Sequence, residues 1–294
     1  MSSDTLAEPA AAAEEAALPH IVPRRRPGQW AAALAVLVLL GLAVVSVVRN
    51  QAFQWDVVGD YFTSTAVLRG LWLTLRLTAV VMTLGFALGT LLAAARLSVN
   101  TVLRGVSWGY VWLFRSVPIL VQLLFWFNIG ALYPHILGVR TVNLFAPVTV
   151  AVVGLTLHEA AYAAEDGGPP ARAKSRVGER GGILSVDGGQ FEAAQALGLS
   201  RWLRWRRIVL PQAMRAIVPA AANMLIGTLK GTSIVSVIAV QDLLHSAQLV
   251  HHRTYQVIPL LMVATLWYVL VTSVLSVGRH YVEKHYARGA ERAR

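Results

Sequence analysis

Cysteine is missing from all 294 residues of the sequence. A disulfide framework, a thiolate metal site and a cysteine nucleophile are therefore excluded, and the redox compartment leaves no mark. Charge is scarce too: Asp, Glu, Lys and Arg make up 14% of the chain, where a soluble domain carries about a quarter. Acidic residues are the scarcer sign, 15 against 26 Lys and Arg, for a net charge of +11. No G-x-x-x-x-G-K-[ST] occurs, so the chain has no P-loop to cradle ATP phosphates. His158-Glu159 lacks the second histidine of a zinc-protease helix, and the loop residues His245, His251 and His252 read as solvated, so no metal is assigned.

What fills the chain instead is apolar: 56% hydrophobic residues and a mean hydropathy of +0.56. That composition predicts an all-α, polytopic membrane helical bundle. A span needs about twenty apolar residues, and six segments qualify: Trp30–Val48, Val67–Ala95, Val106–Leu132, Phe145–Glu165, Pro211–Val240 and Val257–Gly278. The two longest are expected to include interfacial or broken turns. The run after Arg24-Arg25-Arg26 is long for a signal peptide and has no small-x-small cleavage pattern, so it reads as a retained span.

In a soluble domain a charge of +11 would point to nucleic acid; here the excess collects in loops beside the spans, and no nucleic-acid partner is expected. Nineteen Lys and Arg fall on one side of the bundle, and Arg49, Arg140 and Arg253 on the other. The bias puts both termini and the loop before Pro211 in the cytoplasm of a multi-pass plasma-membrane protein.

Residues 188–211 are too polar for a span and too patterned for a plain loop. Gln190 to Leu197 are good helix formers, Glu192 falls in the first turn, and Gly198 stands where a left-handed cap would end the helix. Ser200 then caps a second helix, Arg201 to Val209, before Pro211 opens the next span. Ala193, Ala194 and Gly198 leave a face that another surface can approach closely. The second helix, with Trp202 and Trp205 among four arginines, is expected to lie against anionic lipid, so membrane lipid is an expected partner, but lipid binding does not explain Ala-Ala and Gly at fixed offsets in the first.

The spacing Glu192-Ala193-Ala194, three residues, Gly198, nine residues, Ile208, one residue, Leu210-Pro211 resembles the cytoplasmic coupling loop of binding-protein-dependent ABC importer permeases. Gly70-Leu71-Trp72-Leu73-Thr74-Leu75, Phe114 to Gln122, Ala160 to Glu165, Gly181 to Val186 and Leu229 to Ser233 extend the resemblance, most closely to permeases for polar amino acids. It implies a five-helix importer core with one added N-terminal helix and a cytoplasmic coupling helix. It also implies that Glu192, Ala193, Ala194, Gly198 and Arg201 dock an ATPase subunit dimer that binds ATP and Mg, so that this chain is no enzyme and binds no cofactor. A second permease copy or a homologous permease subunit, and an extracytoplasmic solute-binding protein, complete the implied complex. The weighed alternative is an ion-coupled secondary transporter, which would leave the Glu192 helix without a partner.

The expected division is a disordered tail over 1–29, an extra helix and outer linker over 30–66, the permease domain over 67–278 and a basic tail over 279–294. Two features depart from the family pattern. Fourteen residues, Asp166 to Glu179, stand where the family has two, and Gly231 follows Lys230 where Asp or Asn is usual.

An ionisable side chain in a span costs a few kcal/mol and normally faces the bundle interior or a wet cavity. Arg76 snorkels. Arg115, near Pro118, suits a structural role and a place on the path equally well. His158, Glu159, Tyr162 and Glu165 form a polar stripe that is either a cavity lining or a satisfied network. The substrate-path candidates are Arg115, Gln122, Glu159, Tyr162, Asn223, Lys230, Thr232 and Ser233. Glu159 would meet a substrate ammonium, and Asn223, Lys230, Thr232 and Ser233 its carboxylate.

Overall fold

The computed structural model describes residues 27–136, 138–166, 196–198 and 200–291. It divides into two units, 1–51 and 52–294. Within the first, α1 (Pro27–Arg49) is an apolar helix whose side chains from residue 31 onward are all exposed, ending on Arg49, where a cation suits the C-terminal dipole. It is long enough to cross a membrane, as expected for Trp30–Val48. The expected tail over 1–29 and the insert over 166–179 lie almost wholly outside the described residues.

The second unit opens with α2 (Trp55–Phe62), which packs on the last helix through Val58 and Tyr61, and the Trp267 indole donates to the Phe62 carbonyl at 2.8 Å. α3 (Thr65–Leu97) follows, capped by the Ser64 hydroxyl. Its buried residues, among them Val67, Leu71, Thr74, Thr78, Val81, Gly85, Gly89 and Ala93, recur every three or four positions, so one stripe runs the whole helix. α8 (Pro147–Asp166) lies along that stripe. Contact is close where the facing residues are small: a Cβ added to Gly89 would meet the Ala163 Cβ at 2.6 Å. Such small-on-small seams let two spans gain packing where lipid supplies no hydrophobic drive.

α4 (Thr101–Ser116) is capped by Asn100, whose Oδ1 accepts from Val102 N at 2.9 Å. α5 (Ile119–Phe127) continues it after a bend of 100° at Val117-Pro118. The sequence reads 106–132 as one span; proline withdraws a backbone donor and disfavours helical geometry at the residue before it, and the chain turns there. A short helix α6 (Ile129–Leu132), a two-stranded ribbon of β1 (His135–Ile136) and β2 (Val139–Arg140), and α7 (Thr141–Leu144) lead into α8. The broken turns expected in the two longest apolar segments occur in one of them only: 67–95 is a single helix, whereas 211–240 passes from α10 (Leu210–Gly231) into a 3-10 helix over Thr232–Ile238. α11 (Leu243–Thr254) then packs on α3, and α12 (Val257–Glu291) crosses back beside α10 and α11.

Two apolar clusters hold the unit. Leu77, Val81, Leu123, Leu155, Val235 and Ile238 join α3, α5, α8 and the 3-10 segment, while Val67, Leu71, Leu243, Ala247, Leu260 and Val263 join α3, α11 and α12. All-α bundle architecture is what the composition required.

Candidate functional site

Two regions carry the polar residues that an apolar bundle does not need for packing. The first is the segment before α10. Gly198 has φ +68°, the left-handed cap expected of it. Leu203 N donates to the Ser200 hydroxyl at 3.4 Å, which starts α9 (Arg201–Arg204) at the expected residue. A π-helical turn over Trp205–Val209 then runs into α10, with Pro211 in its first turn. Glu192, Ala193 and Ala194 lie outside the described residues.

The second region is the polar stripe of α8. Arg115, in the last turn of α4, forms an ion pair with Glu165. Its guanidinium lies 4.8 Å from the centre of the Tyr162 ring, and Tyr162 in turn lies 4.9 Å from the His158 ring. The bend at Pro118 brings this about: α4 ends with Arg115 beside the lower turns of α8. Tyr110 ties the same helices, its hydroxyl donating to the Leu157 carbonyl at 2.8 Å. Glu159 faces another way. It is half-buried, sits against Gly85 of α3 and lies near Thr228 of α10, whose hydroxyl donates to the Met224 carbonyl at 2.9 Å. Met82 lies beside that threonine, 3.3 Å from its oxygen.

The other path candidates are spread over α5, α10 and the 3-10 segment. Gln122 is buried and spends both amide protons on the bend, donating to the carbonyls of Phe114 at 2.8 Å and Val117 at 2.7 Å, while its Oε1 has no partner among the described residues. Asn223 and Lys230 are exposed on one face of α10, seven residues apart, and Asn223 Oδ1 accepts from Arg279 at 2.9 Å. Thr232 and Ser233 turn their hydroxyls back onto the carbonyls of Leu229 and Lys230, at 2.7 and 2.8 Å. The structure thus joins Arg115 with Tyr162, and Glu159 with α3 and α10, but keeps the two groups on different faces of α8.

Sequence reasoning did not single out Thr228, Arg279 or Asp242. Asp242 is fully buried between the 3-10 segment and α11, where its carboxylate accepts from His245 N at 2.8 Å and from the Tyr268 hydroxyl at 3.4 Å. Burial raises its pKa to about 6. The signal for it was present: an acid directly before a run of helix formers is the pattern of an N-cap.

Similarity to known proteins bears on these positions. Residues 175–288 match the family described as binding-protein-dependent transport system inner membrane component. The arginine transport system permease protein ArgU of Corynebacterium glutamicum is 40% identical over 276 residues, covering 92% of this chain and 84% of that protein. The probable amino-acid ABC transporter permease protein YckA of Bacillus subtilis is 35% identical over 221 residues, 75% of this chain and 89% of its own. Among solved structures, an amino acid ABC transporter crystallised with histidines aligns at TM-score 0.64 and 30% identity, over 75% of this chain and 94% of that one. The inward-facing MetNI methionine ABC transporter aligns at TM-score 0.54 and 21% identity and shares the fold.

Proposed function

The chain belongs to the binding-protein-dependent transport system inner membrane components and is the permease subunit of an amino-acid ABC importer, and from that premise we propose that it carries cationic amino acids past Glu159 into the cytoplasm. An ion-coupled mechanism is not that of this family. The single observation that carries the cargo assignment is the 40% identity with the arginine transport permease over 92% of this chain. The acidic Glu159, placed on α8 between α3 and α10, supplies the matching charge.

In this reading Glu159 meets the ammonium or guanidinium of the cargo, and the α10 face of Asn223 and Lys230, with Thr232 and Ser233 beyond it, meets the carboxylate. Arg115 and Tyr162, on a different face of α8 from Glu159, would meet the cargo at another stage of the route, and Gln122 serves it by holding the bend itself. An extracytoplasmic binding protein delivers the cargo, and a second permease copy or a homologous subunit completes the pore. Both termini and the coupling loop lie in the cytoplasm, in accord with the distribution of Lys and Arg.

A separate ATPase dimer holds ATP and Mg and hydrolyses the nucleotide. Glu192, Ala193, Ala194, Gly198 and Arg201 dock it. Closure of that dimer would pull on the docking segment, and the π-helical turn at Trp205–Val209 is where the pull enters α10. Co-purification with the ATPase tests the docking: Glu192→Arg with Gly198→Trp is expected to release the ATPase, and retention of the ATPase by that variant contradicts the assignment.

A further inference from the structure

A cavity of about 540 Å³ lies where α3 meets α11, and it takes no part in the route described above. Close approach of the two helices at Gly70 bounds it, since a Cβ there would sit 2.7 Å from the Asp242 carbonyl. The charged residues on its wall are Arg69 and Arg253, with no carboxylate among its lining; Gln241 and Ser246 add polar groups, and Leu73 and Leu249 an apolar side. Two guanidiniums on one cavity wall favour an anion between them, the more so as lipid excludes water from it. Protein acids do not supply it: the ion pairs among the described residues are Arg115–Glu165 and Arg279–Glu283, and the nearby Asp242 is turned toward His245 N and Tyr268.

The surroundings identify the anion. On α3 the residues exposed beside Arg69 are Leu68, Trp72 and Arg76, and Tyr255, directly after α11, is 90% exposed. Arginine with tryptophan and tyrosine at the end of a span is the composition of the headgroup layer. A planar guanidinium fork fits phosphate oxygens two at a time, and the leucines of the cavity suit the start of an acyl chain.

We propose that this cavity holds the phosphate headgroup of an anionic phospholipid, clamped between Arg69 and Arg253. With the orientation proposed above, the lipid belongs to the outer leaflet and braces α11 against α3.

Native mass spectrometry of the full complex, released from nanodiscs of phosphatidylcholine mixed with phosphatidylglycerol, reads the bound lipid directly. The wild type is expected to retain phosphatidylglycerol, and Arg69→Gln with Arg253→Gln to retain it roughly twenty-fivefold less, since each basic group near a headgroup contributes about a factor of five. A paired melting measurement keeps the test sharp: phosphatidylglycerol should raise the Tm of the wild type and of Arg69→Lys, and leave the Tm of the double variant unchanged from its value in phosphatidylcholine alone. Equal lipid retention by the double variant overturns the proposal. So does a double variant that keeps its lipid but loses stimulation by the binding protein, which would assign the arginines to protein docking. Uptake assays test the permease reading separately, so failure of the lipid site leaves that reading standing.

Discussion

Gly89 of α3 and Ala163 of α8 approach so closely that a Cβ on the glycine would sit 2.6 Å from the alanine Cβ and 3.0 Å from the Ala160 carbonyl. There is no room for a methyl group unless the two helices separate. Gly89→Ala is therefore expected to destabilise the bundle by about 1–3 kcal/mol, read as a lower Tm of the purified protein. Gly105→Ala is the control: nothing lies within 4 Å of a Cβ there, and the gain in helix propensity should leave the Tm equal or higher. Matching losses for the two variants would contradict the packing described.

Gln122 gives a second test. Its amide satisfies two carbonyls freed by the bend between α4 and α5. Gln122→Leu leaves both acceptors without that donor in a buried setting, at a cost of about 1–3 kcal/mol. Gln122→Glu is expected to be at least as harmful when ionised, because a carboxylate cannot donate. A melting series over Leu, Glu and wild type checks the order, and a Leu variant as stable as the wild type would remove Gln122 from the bend.

The bend also marks the limit of what the sequence alone conveys. Hydropathy finds where apolar residues run, and each described helix long and apolar enough to cross a membrane overlaps a segment it picked out; within Val106–Leu132 it gives no sign of the 100° bend, because Pro118 lowers the average hardly at all. Local chemistry did better than averages at Gly198 and Ser200, whose cap roles follow from their own side chains and their neighbours. The polar stripe of α8 was legible from spacing, but its division into an Arg115 side and a Glu159 side was not, because that depends on which helix packs on which face. Thr228 illustrates the point: a threonine among apolar residues is common, and only the packing of α10 on α8 brings it to Glu159.

Asp242 makes stability depend on pH. Its carboxyl titrates near 6 in the fold, raised by burial, against about 3.9 in an unfolded chain. Between those values the unfolded chain gives up its proton first, so this group weakens the fold as pH rises from about 4 to 6 and adds no further change above that. Asp242→Asn, which keeps an oxygen to cap α11, should flatten the fall in Tm across this window. Asp242→Ala loses the cap as well and should cost about 1 kcal/mol at any pH. A Tm profile for Asp242→Asn that still falls over the same range would assign the titration to another group.

Glu159 bears on cargo choice. Glu159→Gln keeps the size of the side chain but removes the charge, so uptake of arginine is expected to fall at least tenfold while a neutral amino acid is affected much less. Competition uptake over a panel of amino acids checks this, and unchanged arginine uptake and affinity would take Glu159 off the route.

The most direct test of the whole account is uptake of labelled arginine by proteoliposomes that contain the permease with its ATPase subunits, binding protein outside and nucleotide within. Accumulation is expected only when ATP is present and hydrolysed. Arginine accumulating without nucleotide, on an ion gradient alone, would contradict it.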